Sequence, residues 1–86
     1  MFKWNKEKNS LLKKQRGICF EDIIEALDTA ILDVYDHPNQ EEYPSQKIYV
    51  VEVMNYVYLV PFVVDGDDRF LKTIIPSRKA KKKYKG

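Results

Sequence analysis

Cysteine and histidine are almost missing from this chain: its 86 residues contain one of each, Cys19 and His37. A lone cysteine excludes an internal disulfide and a cysteine zinc cage, and it fits a reducing compartment. With one histidine beside it, too few soft ligands remain for a structural metal site, and no cofactor is expected. Apolar runs of membrane-spanning length are also lacking, and the opening "MFKWNKEK" is polar from its third residue, unlike a secretory leader. The expected compartment is the cytoplasm, with no membrane attachment. With three glycines in all, no glycine-rich phosphate loop can be traced. HExxH, CxxC and a Ser–His–Asp order are missing too, which removes the familiar hydrolase and redox motifs.

Charge of one sign is missing over long stretches. Residues 1–16 hold six cations and one acid, whereas residues 17–42 hold eight acids and no lysine or arginine. Residues 43–68 hold one cation and four acids, and residues 69–86 hold eight cations and no acid. The blocks, +5, −8, −3 and +8, sum to the formal net charge of +2. Neutralisation of the basic ends by the acidic middle is one reading. The length and purity of the blocks favour a bipolar surface, with a basic face for an anionic polymer and an acidic face for something cationic.

What is present is the composition of one globular domain, 44% hydrophobic and 13% aromatic, too apolar for disorder. Phe2 and Trp4 alternate with Lys3 as in a short strand. Asn5 is placed to cap a helix over residues 6–16, with Leu11 and Leu12 as its apolar contacts and Gly17 as its stop. Phe20, Ile23, Ile24 and Leu27 form the stripe of an amphipathic second helix. Ala30, Ile31, Val34 and Tyr35 would let that helix run on, while the β-branched content equally allows a strand at 31–35. "KIYVVEVMNYVYLVPFVV" reads as two antiparallel strands, about 47–53 and 56–64, with a turn near Met54–Asn55. Pro61 argues for an edge or a bulge in the second. After the turn "DGDD" at 65–68, a third strand is expected over 69–75, with Phe70, Lys72 and Ile74 on one side and Leu71, Thr73 and Ile75 on the other. Pro76 closes it, and Ser77 caps a final basic helix. Ala80 and Tyr84 would dock that helix, leaving Arg78, Lys81, Lys82 and Lys85 outward. The expected class is α+β: a small antiparallel β-sheet with two N-terminal helices and a basic C-terminal helix, the helices on one face of the sheet.

If the first and last helices flank the third strand, Lys13, Lys14, Arg16, Arg69, Lys72, Arg78 and Lys82 surround it. Such a ring binds phosphates without reading sequence, with affinity falling steeply as salt rises. Tyr49, Tyr56, Tyr58 and Tyr84 are candidates to stack on unpaired bases, with ordinary strand packing as the alternative for each. Cleaving RNA needs no metal: the ribose 2′-OH attacks phosphorus, cations stabilise the phosphorane, and an acid protonates the leaving 5′-oxygen. Proton carriers are harder to find. His37 sits beside Pro38 in an acidic loop, as surface histidines do, and Glu41 and Glu42 belong to a solvated acidic run. Tyr84, or a lysine crowded by like charge, is the remaining candidate.

Two stretches resemble a known family. "FKWNKEKNSLLKKQRGICFEDIIEAL" is similar to the opening of BrnT-type toxins, the ribonuclease members of bacterial type II toxin–antitoxin pairs, through Trp4, Asn5, Lys8, Asn9, Gly17, Phe20, Glu21 and Asp22. "FLKTIIPSRKAKKKY" resembles the family's other mark, a strand ending Ile-Ile and then a basic helix, through Ile74, Ile75, Arg78, Lys79, Ala80 and Tyr84. Arg16 stands where the family has a histidine, Pro76-Ser77 where it has Ser-Ala, Thr73 where it has a strand cation, and a lysine where its last helix often has glutamate. The resemblance implies a RelE-like toxin fold, a metal-independent ribonuclease that arrests translation, and a cognate antitoxin whose complex alone reaches operator DNA. It also implies that Arg78 is the first candidate for a catalytic or phosphate-binding cation. Lys79 and Tyr84 stand behind it, and the ring of cations described above adds Lys72 to the catalytic candidates and Lys13, Lys14, Arg16, Arg69 and Lys82 as RNA-binding residues.

Overall fold

A computed structural model describes residues 1–85. These form a small α+β fold with a mixed six-stranded sheet and three helices, in the order β1 (Phe2–Trp4), α1 (Lys6–Arg16), α2 (Phe20–Leu27), β2 (Ile31–Asp36), β3 (Gln46–Val53), β4 (Tyr56–Asp65), β5 (Asp68–Leu71), β6 (Ile75–Pro76) and α3 (Arg78–Lys85). The strands lie in the order β1-β5-β4-β3-β2, with β6 also against β4. The segment 31–36, open between helix and strand in the sequence, is a strand. The sheet is not wholly antiparallel as expected, because β1 runs parallel to β5, pairing Phe2 with Arg69 and Trp4 with Leu71. A parallel pair requires a long crossover between its strands, and here most of the chain supplies it.

The helices form where the sequence places them. Asn5 accepts the Lys8 amide at 2.9 Å, and Gly17, at φ 69°, ends α1 with its amide on the Lys13 carbonyl. Only glycine enters that left-handed conformation without steric cost. Asn9 of α1 ties the two helices together. Its side-chain oxygen accepts the first amide of α2, Phe20, at 2.7 Å, while its nitrogen donates to Glu21 at 2.7 Å. Asp22 accepts the Cys19 amide at 3.0 Å and so closes the same turn. Asn9, Phe20, Glu21 and Asp22, which also carry the family resemblance, thus set the angle between α1 and α2. In the β3–β4 hairpin both Met54 and Asn55 have positive φ, as a two-residue turn matched to strand twist demands.

Strand alternation divides the core into two layers. Tyr49, Val51, Val53, Val60, Phe62 and Leu71 face α1 and α2, where they meet Leu12, Ile18, Phe20 and Ile23. Val50 and Val57 face the other way and meet Ala80 of α3, with Leu32, Leu59 and Tyr84 around them. The helices therefore lie on both faces of the sheet, not on one. This departs from the expected arrangement.

The third strand departs as well. Leu71 pairs with Phe62 and Ile75 with Leu59, so β5 and β6 advance four residues while β4 advances three. One extra residue lies in the segment 72–74, a bulge that splits the expected 69–75 strand. Past it the alternation is reset. Leu71 and Ile74 are both fully buried on the α1–α2 side, and Ile75 is 40% exposed. Pro61, expected at an edge or a bulge, is instead inside the central strand. Its carbonyl accepts the Lys72 amide at 2.8 Å, so its missing N–H faces the gap that the bulge opens. The bulge is on the facing strand.

Replacing a fully buried aliphatic residue by alanine costs about 2–5 kcal/mol, whereas surface truncations stay near 0.5 kcal/mol. Urea unfolding is therefore expected to show a large loss for Ile74→Ala and a small one for Ile75→Ala. Reversed costs would mean an uninterrupted strand with Ile75 inside.

Candidate nucleic-acid interface on the basic helix

Ser77 accepts the Ala80 amide at 3.1 Å through its hydroxyl and starts α3 as expected. Eight residues then carry six cations. Ala80 and Tyr84, four apart, fall on the sheet side and dock in the second core layer. Helical spacing then sorts the cations into three directions. Lys79 and Lys83 flank the docked stripe on the β2 side. Lys81 and Lys85 flank it on the other side, and Arg78 and Lys82 point away from the sheet and are exposed.

The β2 side is a groove. Val50 and Leu59 are its floor, α3 is one wall through Ser77, Lys79, Lys83 and Tyr84, and β2 is the other through Asp33 and Tyr35. Its volume of about 390 Å³ is at the small end of the roughly 300–1,000 Å³ typical of ligand sites. The Tyr84 hydroxyl donates to Asp33 Oδ2 at 2.7 Å, and Asp33 Oδ1 accepts the Val34 amide at 2.8 Å. The Tyr84 bond, with the Val34 amide second, holds the Asp33 carboxyl below its ordinary range. The same bond raises the Tyr84 phenol, and the Lys83 ammonium, 5.2 Å from the ring centroid, opposes that only in part. Tyr84 thus keeps its proton at neutral pH and Asp33 its charge.

The sequence-derived site residues are only partly brought together. Lys79 and Tyr84 share the groove, but Arg78 and Lys82 lie on the outer side of the same helix. Lys13 and Lys14 line a shallow depression with Cys19 and Glu21 on the α1–α2 side of the sheet. Lys72 lies among Asn5, Glu7, Lys8 and Phe70, and Arg69 is half-buried, paired with Phe2 and Val64. The expected ring around the last strand is therefore split by the sheet itself, because α1 and α3 cover opposite faces. Arg16 does reach the last strand segment, its Nη1 donating to the Ile74 carbonyl at 2.6 Å in the bulge. Lys85, expected outward, pairs with Glu52 at 2.8 Å. His37 stays in its loop, accepting the Asn39 amide at 3.0 Å and tilted against Tyr43.

Sequence reasoning missed Asp33, Lys83, Tyr35 and the hydroxyl of Ser77 as groove residues. Asp33 was the one with a signal, an acid inside the apolar run "ILDVY". The pairing explains its position. Ile31 pairs with Val51 but Asp33 with Val50, so a bulge in β2 turns Asp33 towards α3.

No protein-family model, no curated protein and no solved structure matches this chain. What the groove does is therefore argued from its own chemistry.

Both partners of the Tyr84–Asp33 bond shift so as to keep it. The depressed Asp33 pKa gives stability that is present above the ordinary value of 3.8 and lost as pH falls through the lower folded value. The raised phenol gives stability that is present below 10.0 and lost as pH rises through the higher folded value. Ultraviolet titration should show one tyrosine ionising later than 10.0, and Asp33→Asn should bring it back down. An unchanged tyrosine titration in Asp33→Asn would sink the assignment.

Proposed function

We propose that this protein acts on RNA as the toxin of a bacterial type II toxin–antitoxin pair. On this reading it is a cytoplasmic, metal-independent endoribonuclease with a RelE-like fold, and RNA lies in the groove beside α3. The observation that carries the reading is the placement of Lys79 and Lys83 on the groove side of α3, next to the Tyr84–Asp33 pair. It is joined by the resemblance of both chain ends to BrnT-type toxins.

A phosphodiester between the two lysines would have its charge neutralised where it grows on the way to a phosphorane. To protonate the leaving 5′-oxygen, Tyr84 would turn its one hydroxyl proton away from Asp33, and an alkoxide, a far stronger base than a phenolate, would take it while the 2′-OH proton passes to solvent. Arg78 and Lys82, on the outer side, would hold flanking phosphates and not the reacting one. An acidic segment of a cognate antitoxin would compete for the same cations, and operator DNA would be reached only through that complex.

Binding without cleavage is a second reading, and one observation favours it. Asp33 titrates low and Tyr84 high, so neither is poised near neutrality to remove the 2′-OH proton. Inactive toxin homologues that act as corepressors would have this character.

Expression without a cognate antitoxin separates the two readings. Growth arrest accompanied by new RNA ends supports the nuclease, with arrest and ends both lost in Lys79→Ala/Lys83→Ala and ends lost in Tyr84→Phe. Arrest with cellular RNA left whole removes the nuclease and leaves binding. In either case the double lysine variant should reduce the slope of log affinity against log salt by about 1.4, about 0.7 for each single-strand phosphate that is no longer neutralised.

A further inference from the structure

On the side of α3 away from the groove, two tyrosines have no part in that site. Tyr56 and Tyr58 lie two apart on β4, so both rings are on the α1–α2 face. Their centroids are 5.5 Å apart at an interplanar angle of 61°, and both residues are half-exposed. The other two strand and helix tyrosines considered for stacking are committed. Tyr49 is 8% exposed and stacked on Phe62 at 4.0 Å, and Tyr84 is docked in the groove with its hydroxyl on Asp33.

Two cations lie near the pair. Lys81 reaches from α3 to place its Nζ 5.0 Å from the Tyr56 ring centroid. Arg16 is held at the Ile74 carbonyl, two residues ahead of Pro76, the register partner of Tyr58. That contact uses one of the five guanidinium donors and leaves others for a phosphate. β6 covers β4 only at Tyr58 and Leu59, so the margin beside Tyr56 is open, closed no further than the Ser77 amide on Val57. From Tyr56 to Val64 the strand holds no acid, and Glu52, opposite Val57, is already paired with Lys85 at 2.8 Å.

Half-exposed aromatic rings with Lys81 over one of them and no acid on their own strand before Asp65 fit a polyanion that carries flat apolar groups. The acids Asp22 and Glu25 lie beyond Val53, the register partner of Tyr56. Base faces are available for stacking on side chains only where the nucleic acid is unpaired. A protein partner would instead need apolar cover, and here a lysine lies over one ring. We propose that Tyr56 and Tyr58 form a stacking platform for unpaired bases of single-stranded RNA, with Lys81 and Arg16 taking the adjoining phosphates. The proposal rests on RNA being the ligand of the α3 groove and extends the track round the open end of β4.

The test uses a labelled 2′-O-methyl oligouridylate, which cannot be cleaved because its nucleophile is blocked, and a labelled RNA duplex. Fluorescence anisotropy should show Tyr56→Leu and Tyr58→Leu each binding the unpaired oligomer about tenfold more weakly, with duplex binding within about twofold of wild type. Lys79→Ala/Lys83→Ala should weaken both probes. Two folded tyrosine variants that bind the oligomer as wild type does would overturn the platform and leave the groove intact. Because Tyr58 also contacts the core, the wild-type protein provides an independent readout. The ring resonances of Tyr56 and Tyr58 should move upfield on adding the oligomer. Static rings while the α3 lysines respond would again remove the platform alone, and a wild-type protein that binds neither probe would remove both.

Discussion

The one-residue bulge between β5 and β6 is the constraint on which the rest of the molecule turns. It lies opposite Val60–Pro61, where proline offers no amide to a neighbouring strand, so a continuous ladder would leave an unmet carbonyl there. The chain makes one contact in that gap, the Lys72 amide on Pro61, and the spare residue resets the alternation. Leu71 and Ile74 both enter the larger core layer as a result. Arg16 ties the end of α1 to the bulge through Ile74, so a displacement of the bulge would be felt in the first helix. The same reset decides where α3 lies. Only Ser77 separates β6 from α3, and a helix that starts so soon after a strand has little freedom in choosing its side.

Elements with a local cause were legible in the sequence. Asn5 and Gly17 bound α1 where a cap and a left-handed stop should be, and the stripe Phe20, Ile23, Ile24 and Leu27 gave α2 its core face. The hairpin at Met54–Asn55, the cap at Ser77 and the docking of Ala80 with Tyr84 followed from spacing alone. Register did not. "RFLKTII" alternates acceptably without a bulge, because apolar residues stand at 70, 71, 74 and 75 and either phase buries two of them. Pro61 was the warning, and it pointed to an irregularity without saying which strand would carry it.

The candidate site was half legible for the same reason. Lys79 and Tyr84 were named from the chain and do share a groove, whereas the wider ring of cations assumed that α1 and α3 lie on one side of the sheet. That assumption concerns layers, and the layer a helix joins is set by the parity of the residues before it. Parity was shifted at the β5–β6 bulge, and again in β2, where Leu32 and Asp33 both turn to the α3 side. Asp33 was invisible as a site residue because its orientation depends on that second shift.

Charge distribution gives α3 an energetic character of its own. Among the described residues, the ion pairs join Lys3 and the N-terminus to Asp68, Lys47 to Asp36 and Lys85 to Glu52, so five of the six α3 cations have no acid within 4.0 Å. The acidic middle reaches this helix only through Glu52 and Asp33 and leaves most of its charge uncompensated. Arg78 with Lys82, Lys79 with Lys83 and Lys81 with Lys85 are like-charge pairs four apart, each costing about 0.2–0.5 kcal/mol. Eight residues are also too few to hold a helix in water by themselves. Docking of Ala80 and Tyr84, the Ser77 cap and the favourable placing of cations at a helix C-terminus oppose these costs. A polyanion laid along α3 would offset the repulsion, so a helix built this way is more stable with such a ligand than without it.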